Sequence, residues 1–296
     1  MAVTTQQNLD LREPSGWRRA KNQLVTGGMW FAFLCMLVPL GFVLVTVIAK
    51  GASTISWQFL TNSTIPPNIL PASIGGMGAA VVGTILITAL AAVMAIPLGI
   101  LGAVYISEYG GNSWLSKLIS FMSDVMTGVP SIVMGLFIFT IWVLHFGYSG
   151  LAGAFALGCL MLPIVIRSAY EMLRLVPNEL REASYALGAT KARVTLTVTL
   201  PAAIGGIVSG ALLAVARAAG ETAPLLFTIL TVESTNSNVF SGANTALSTQ
   251  IFVNATQPYV GAQDRAWGSA LTLIAIAFIL MIVARLTTAR FARYSR

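Results

Sequence analysis

Charge is what this sequence has least of. Asp, Glu, Lys and Arg make up 9% of its 296 residues, against roughly a quarter in an average soluble domain. Hydrophobic residues make up 56%, and the mean hydropathy is +0.81. A water-soluble globular protein is excluded, because too few polar side chains exist to cover a surface and the apolar residues fall in long runs. Histidine is nearly absent too, His145 being the single one. The two cysteines, Cys35 and Cys159, both lie inside apolar runs, where they read as small hydrophobes. They suggest neither a disulfide framework nor a metal site. No Gly-x-x-x-x-Gly-Lys-Ser/Thr pattern occurs, so the chain carries no P-loop, and any ATP it depends on is bound by a partner. Nor do the apolar runs hold a nucleophile, a metal cluster or paired acids. An intramembrane enzyme is therefore set aside, and neither a catalytic residue nor a metal ligand is assigned.

What is present is apolar length. Runs free of formal charge, or nearly so, extend over 29–49, 73–107, 125–166, 202–232 and 266–284. A bilayer crossing needs about 20 residues. The third run is long enough for two crossings, separated at Phe146-Gly147-Tyr148-Ser149-Gly150, where glycines permit a tight reversal. The expectation is an all-α integral membrane protein with six transmembrane helices. The first run is longer than a signal-peptide core and lacks a following small-x-small cleavage site, so it reads as a span.

The few charges then set the orientation. Six spans place both termini on one side. That side carries Arg12, Arg18, Arg19 and Lys21 before the first span and Lys117 after the second. It also carries Arg167, Arg174, Arg181, Lys191 and Arg193 between the fourth and fifth, and Arg285, Arg290, Arg293 and Arg296 at the end; only Lys50 and Arg265 fall opposite. By the positive-inside rule both termini are cytoplasmic. The net charge of +7 is thus an orientation signal, and nucleic acid is not an expected partner. The divisions expected are a tail over 1–27, the first helix and its external loop over 28–72, a core of five helices over 73–290 and a tail over 291–296. The core includes a cytoplasmic loop over 168–201 and an external loop over 233–265. In the external loop, residues 246–253 suggest a short interfacial helix. Pro66, Pro67 and Pro71 mark the earlier external segment as turn-rich.

The cytoplasmic loop is the most informative stretch. Pro177 ends what precedes it. Asn178-Glu179 begin a new helix with an acid in its first turn, and Gly188 stops it. Thr190 caps a second short helix over 191–198, and Pro201 suits the first turn of the next span. Two short helices about a glycine would form a docking knob. Glu182-Ala183-Ser184, then Gly188, then Val198, Leu200 and Pro201 resemble the EAA loop of ABC-importer permeases. That pattern is Glu-Ala-Ala, three residues, Gly, nine residues, Ile-x-Leu-Pro, and this chain departs from it only at Ser184 and Val198. The resemblance implies the MetI-like permease fold. It assigns Glu182, Ala183, Ser184, Gly188, Leu200 and Pro201 to coupling with an ATPase.

Two charges interrupt the fifth span. Arg217 lies about 24 Å along a helix starting at Pro201, where a charge costs at least about 2.5–3.5 kcal/mol. It should face the bundle interior or a water-filled path. Glu221, four residues on, shares its helix face and can pair with it. Pro224 predicts a kink just beyond Glu221. Such a pair either fixes packing or offers an anion site, since the guanidinium fork suits oxyanions. Arg167, at the cytoplasmic end of the fourth span, is either a second path residue or a snorkelling arginine.

The segment Arg217-Ala218-Ala219-Gly220-Glu221-Thr222-Ala223-Pro224, together with Gly128-Val129-Pro130-Ser131-Ile132-Val133-Met134-Gly135, is similar to segments of phosphate-importer permeases. Two sister branches of that group share related segments, and the residues leave the choice between them open. This resemblance covers about 73–296. It implies a bacterial inner-membrane, multi-pass permease embedded in lipid, paired with a second permease subunit, with an ATPase dimer below and a phosphate-binding protein outside. No cofactor would sit on this chain; ATP and Mg would be held by the ATPase. The substrate path would include Arg217, Glu221, Thr222 and Arg167. A permease for molybdate or sulfate and an ion-coupled secondary transporter are the alternatives, and the latter leaves the EAA loop unexplained.

Overall fold

The computed structural model describes residues 16–63, 75–232 and 234–294. The expectations for Arg12, Pro66, Pro67, Pro71 and Arg296 fall outside them. Every regular element among the described residues is helical. The chain divides into two compact units, one through Ile48 and one from Ala49 onward.

The described residues of the first unit lie on one element. Helix α1, Gly16–Gly51, is 36 residues long, about 54 Å at 1.5 Å per residue. Arg18, Arg19 and Lys21 lie on its first turns.

The second unit opens with the short α2 (Trp57–Thr61), which Ser56 caps by accepting the Phe59 N–H. It continues with α3 (Gly78–Gly110), α4 (Trp114–Gly128), α5 (Ser131–Phe146), α6 (Gly150–Arg174) and α7 (Asn178–Ala186). After these come α8 (Lys191–Ala219), α9 (Ala223–Thr228), α10 (Leu247–Ala255) and α11 (Val260–Tyr294). Among the described residues five helices, α1, α3, α6, α8 and α11, are long and apolar enough to cross a membrane; α4 and α5 make a sixth span when their limbs are counted together. Alanines, interleaved with larger apolar side chains, hold the centre of this unit. Ala91 and Ala95 of α3, Ala154, Leu157 and Met161 of α6, and Ala214 and Ala218 of α8 form one buried cluster. In a membrane, where apolar contact gains little over lipid, such small side chains let helix backbones approach.

Three expectations need correction. The third span does not begin at Val125. It begins at Trp114 and bends by 106° between α4 and α5, because Pro130 holds Val129 in extended backbone and so ends the α4 helix. The second short helix over 191–198 does not stand alone; it forms the first turns of the 29-residue α8. Pro201 nevertheless falls in the first turn of the α-helical part of that helix, Leu200–Ala219, as expected, and a wider π-turn over Thr195–Thr199 precedes it, giving room where the proline ring would crowd the preceding turn. The break expected just beyond Glu221 is present and spans Gly220 to Thr222. Helix α8 ends at Ala219, since Pro224 has no N–H to give the Gly220 carbonyl and its ring excludes that oxygen. In α10, Ser248, Thr249, Gln250 and Asn254 are all buried. They are satisfied internally, Asn254 Nδ2 donating to Gln250 Oε1 at 2.9 Å and Gln250 Nε2 to Thr245 Oγ1 at 3.1 Å. Arg265, expected in a loop, is wholly buried in α11.

Candidate functional site

The two charges of the fifth span meet as their spacing predicts, but loosely. Arg217 Nε lies 3.8 Å from Glu221 Oε1, beyond hydrogen-bonding distance; the side chains are 71% and 23% exposed. Arg217 is thus not enclosed within this subunit. It stands on the last turn of α8, and Glu221 follows in the break, where the chain is held by backbone bonds from Gly220 N to Arg217 O and from Glu221 N to Ala218 O, both 3.1 Å. A buried serine of α10 supports the break from outside: Ser248 Oγ donates to the Glu221 carbonyl at 2.9 Å. Thr222 is half-buried, and its carbonyl accepts the Leu225 and Leu226 N–H groups that start α9.

Arg217 and Glu221 line one wall of a cleft of about 340 Å³. The α4–α5 bend, Met126 to Ser131, forms a second wall, and Leu160, Pro163 and Ile164 of α6 form the back. Those α6 residues lie midway along Gly150–Arg174, so the cleft sits at the middle of the bundle although Arg217 is far along the lengthened α8. Both sequence segments quoted above, 128–135 and 217–224, therefore bound one site. They are packed against each other behind it: a Cβ on Gly135 would lie 2.6 Å from the Pro224 Cα. An exposed guanidinium with its donors not spent on a carboxylate, beside a chain break that presents backbone polar groups, can bind an oxyanion.

Arg167 does not line the cleft. It lies one turn beyond Pro163 and Ile164 on α6, where Nη1 contacts Asp124 Oδ1 at 2.7 Å and Nε contacts Glu171 Oε1 at 3.2 Å, all three side chains being more than half exposed. Asp124 in turn lies one turn before Thr127 of the cleft. The pair joins α4 to α6 on the side of the cleft nearer α7. Asp124 drew no attention in the sequence, because nothing local marks an acid 43 residues from its arginine.

The residues grouped by the EAA pattern divide in space. Glu182, Ala183 and Ser184 lie on α7, a helix with no buried residue, and Gly188 ends it with φ +79°. The turn closes through Gly188 N to Tyr185 O at 2.9 Å and Ala189 N to Ser184 O at 3.2 Å. Leu200 and Pro201 are separate from this knob, more than two turns into α8. Sequence reasoning missed Glu108 and the role of Arg181 within the fold. The two form an ion pair at 3.0 Å with side chains only 5% and 14% exposed, and Arg181, counted above as a topology signal, also ties α7 to the end of α3.

A bundle of apolar spans with a sharply bent third span, a broken fifth and an exposed helical knob defines a permease of the importer type. The family model described as "Binding-protein-dependent transport system inner membrane component" matches residues 95–294, and the chain is a multi-pass inner-membrane protein of that class. Solved ABC transporters share the fold. A bacterial alginate ABC transporter in complex with an alginate-bound periplasmic protein matches with TM-score 0.65, 13% identity and coverage of 94% of this chain and 98% of that one. The inward-facing MetNI methionine transporter matches with TM-score 0.56, 20% identity and coverage of 73% and 94%. Among curated proteins, "Phosphate transport system permease protein PstA 1" of Mycobacterium tuberculosis (strain ATCC 25618 / H37Rv) is 41% identical over 273 residues, 90% of this chain and 87% of that one. PstA of Yersinia pestis is 40% identical over 281 residues, 94% of each. The chain belongs to the PstA family of phosphate transport system permease proteins.

Proposed function

We propose that this chain is one of two permease subunits of an ATP-driven importer of inorganic phosphate. The observation that carries the reading is Arg217: a cation at mid-bundle depth, exposed on its own subunit and only loosely paired. A second, PstC-like permease would close the path over it, so that each subunit contributes half. Phosphate would arrive from a PstS-like binding protein outside. A PstB-like ATPase dimer, holding ATP and Mg, would dock on α7 from the cytoplasm, where both termini of this chain would also lie.

The energetics favour ATP coupling. A phosphate dianion entering a cell held 100 mV negative works against about 4.6 kcal/mol, and each tenfold inward gradient adds about 1.4 kcal/mol. A passive path would run outward. Glu221 keeps Arg217 oriented when the site is empty and yields it to the incoming anion, the long 3.8 Å contact being easily exchanged. Arg167, held by Asp124 and Glu171, forms the next cationic station towards the cytoplasm.

The test is uptake of radiolabelled phosphate by the complete complex in proteoliposomes, with sulfate and molybdate as competitors. Uptake should resist both competitors and fall by at least about a hundredfold in Arg217→Gln, as expected when a charge-assisted contact of about 3 kcal/mol is removed. Inhibition by sulfate or molybdate at equimolar concentration would refute the phosphate assignment, and wild-type uptake by the variant would refute the role of Arg217.

A further inference from the structure

Two adjacent residues outside every recognised motif grip the α7 loop on both sides of Gly188. They are Glu108 and Tyr109, in the π-turn Tyr105–Gly110 that ends α3. Glu108 Oε1 accepts from Arg181 Nη2 at 3.0 Å and from Ser107 Oγ at 3.1 Å. The same guanidinium donates to Leu173 O at 2.9 Å, Val176 O at 2.7 Å and Asn178 Oδ1 at 3.1 Å. One arginine thus fastens the end of α6, the connecting turn and α7 to α3. Three residues past Gly188, Lys191 Nζ sits 5.3 Å over the Tyr109 ring. Arg181 precedes the glycine and Lys191 follows it, so the loop is held at both feet while its outer surface stays exposed.

The geometry points to more than anchoring. A nearly desolvated ion pair is a poor device for stability alone, because hydrophobic residues of similar shape commonly do as well. It does fix one register between two elements. Beyond Gly110 the chain reverses in one tight turn, Ser113 N donating to Gly110 O at 2.8 Å, and enters α4. That helix is 15 residues long, a rod of about 22 Å, and its far end, Thr127 and Gly128, lines the Arg217 cleft. The opposite wall, Arg217 itself, stands on α8, which the loop joins covalently. A loop free of α3 would therefore move one wall of the cleft. A loop clasped to α3 moves both.

We propose that Glu108 and Tyr109 form a clasp that carries displacement of the ATPase-docking loop into α4, so that both walls of the Arg217 cleft move together. They are positioning residues. The proposal rests on the coupling role of α7 and deepens it.

The experiment uses the complete complex in proteoliposomes, with ATP hydrolysis and radiolabelled phosphate uptake measured on the same samples. In Glu108→Gln, hydrolysis stimulated by the binding protein should stay within about twofold of wild type while phosphate moved per ATP falls at least about fivefold, the lower range of an intersite coupling. The exchanged pair Glu108→Arg with Arg181→Glu should recover part of that ratio. A residue that merely stabilised the fold would lower assembled complex, hydrolysis and uptake together and leave the ratio unchanged. That result overturns the clasp. If Glu108→Gln does not assemble, Tyr109→Leu decides, because Tyr109 and Lys191 are exposed; a wild-type ratio there overturns the proposal and a reduced one supports it. The outcome is separable from the substrate assignment. If the wild-type complex carries another oxyanion, the ratio is measured with that anion.

Discussion

Gly135 of α5 faces Pro224 of α9 so closely that a side chain of even one carbon would come within 2.6 Å of the proline Cα. This contact closes the bent third span onto the broken fifth, and the phosphate-permease-like segments meet there. Because the obstruction is backbone and not the flexible end of a side chain, relief requires α5 or α9 to shift. Gly135→Val should cost about 1–3 kcal/mol by overpacking and displace the α4–α5 bend from Arg217. Complex yield and thermal midpoint should both fall, with uptake lost. An unchanged midpoint and full uptake would show that the two segments are free to separate.

Gly188 has φ +79°, a conformation that costs a residue with a Cβ about 1 kcal/mol or more. The site around it is open, since nothing lies within 4 Å of an added Cβ. The penalty is therefore conformational and not steric. Gly188→Val should weaken association with the ATPase by about fivefold or more, while Gly188→Asn, which tolerates this region, should lose less. Equal binding by both variants, titrated in detergent, would mean that the knob does not need its left-handed end.

The bond from Ser248 Oγ to the Glu221 carbonyl, 2.9 Å, ties the break in the fifth span to α10. A net hydrogen bond contributes about 1 kcal/mol. Ser248→Ala should then lower uptake about fivefold with little change in complex yield, and Ser248→Thr should retain most of it. Wild-type uptake by the alanine variant would release Ser248 from any part in shaping the site.

The Asp124–Arg167 contact is 62% exposed on both sides, so it contributes at most about 1 kcal/mol to the fold. Its effect should be on transport. Asp124→Asn removes one of the two carboxylates that neutralise Arg167, the cationic station proposed above, which should slow release of a dianion. The maximal uptake rate should fall about threefold, with KM unchanged or lower and assembly normal. A raised KM at an unchanged maximal rate would place the pair on the entry side instead.

Much of the architecture was legible because it is local. Apolar run length identified the spans, Phe146 to Gly150 marked a reversal that Ser149 caps by accepting the Ala152 N–H, and Asn178 to Gly188 read correctly as a helix and its stop. The departures lie in how segments join. Pro224 acted as expected, its missing N–H freeing the Gly220 carbonyl and breaking the fifth span around Glu221. Ahead of Pro201 a π-turn over Thr195–Thr199 joined the short helix to the span, so the two run on as one. The burial of Ser248, Gln250 and Asn254 in α10 was not legible, since a pattern of polar and apolar residues does not say what packs against them.

The sequence by itself determined which segments are long and apolar enough to span the bilayer, where the exposed α7 loop lies, and that Arg217 and Glu221 share a helix face, because hydrophobic length and the helical period depend only on near neighbours. Only the tertiary structure decided that Arg217 faces out of its subunit, that Asp124 holds Arg167, and that Glu108 holds Arg181 across 73 residues of chain. Those pairings depend on which faces of distant helices pack together, which the small residues at helix crossings set collectively and no single spacing records.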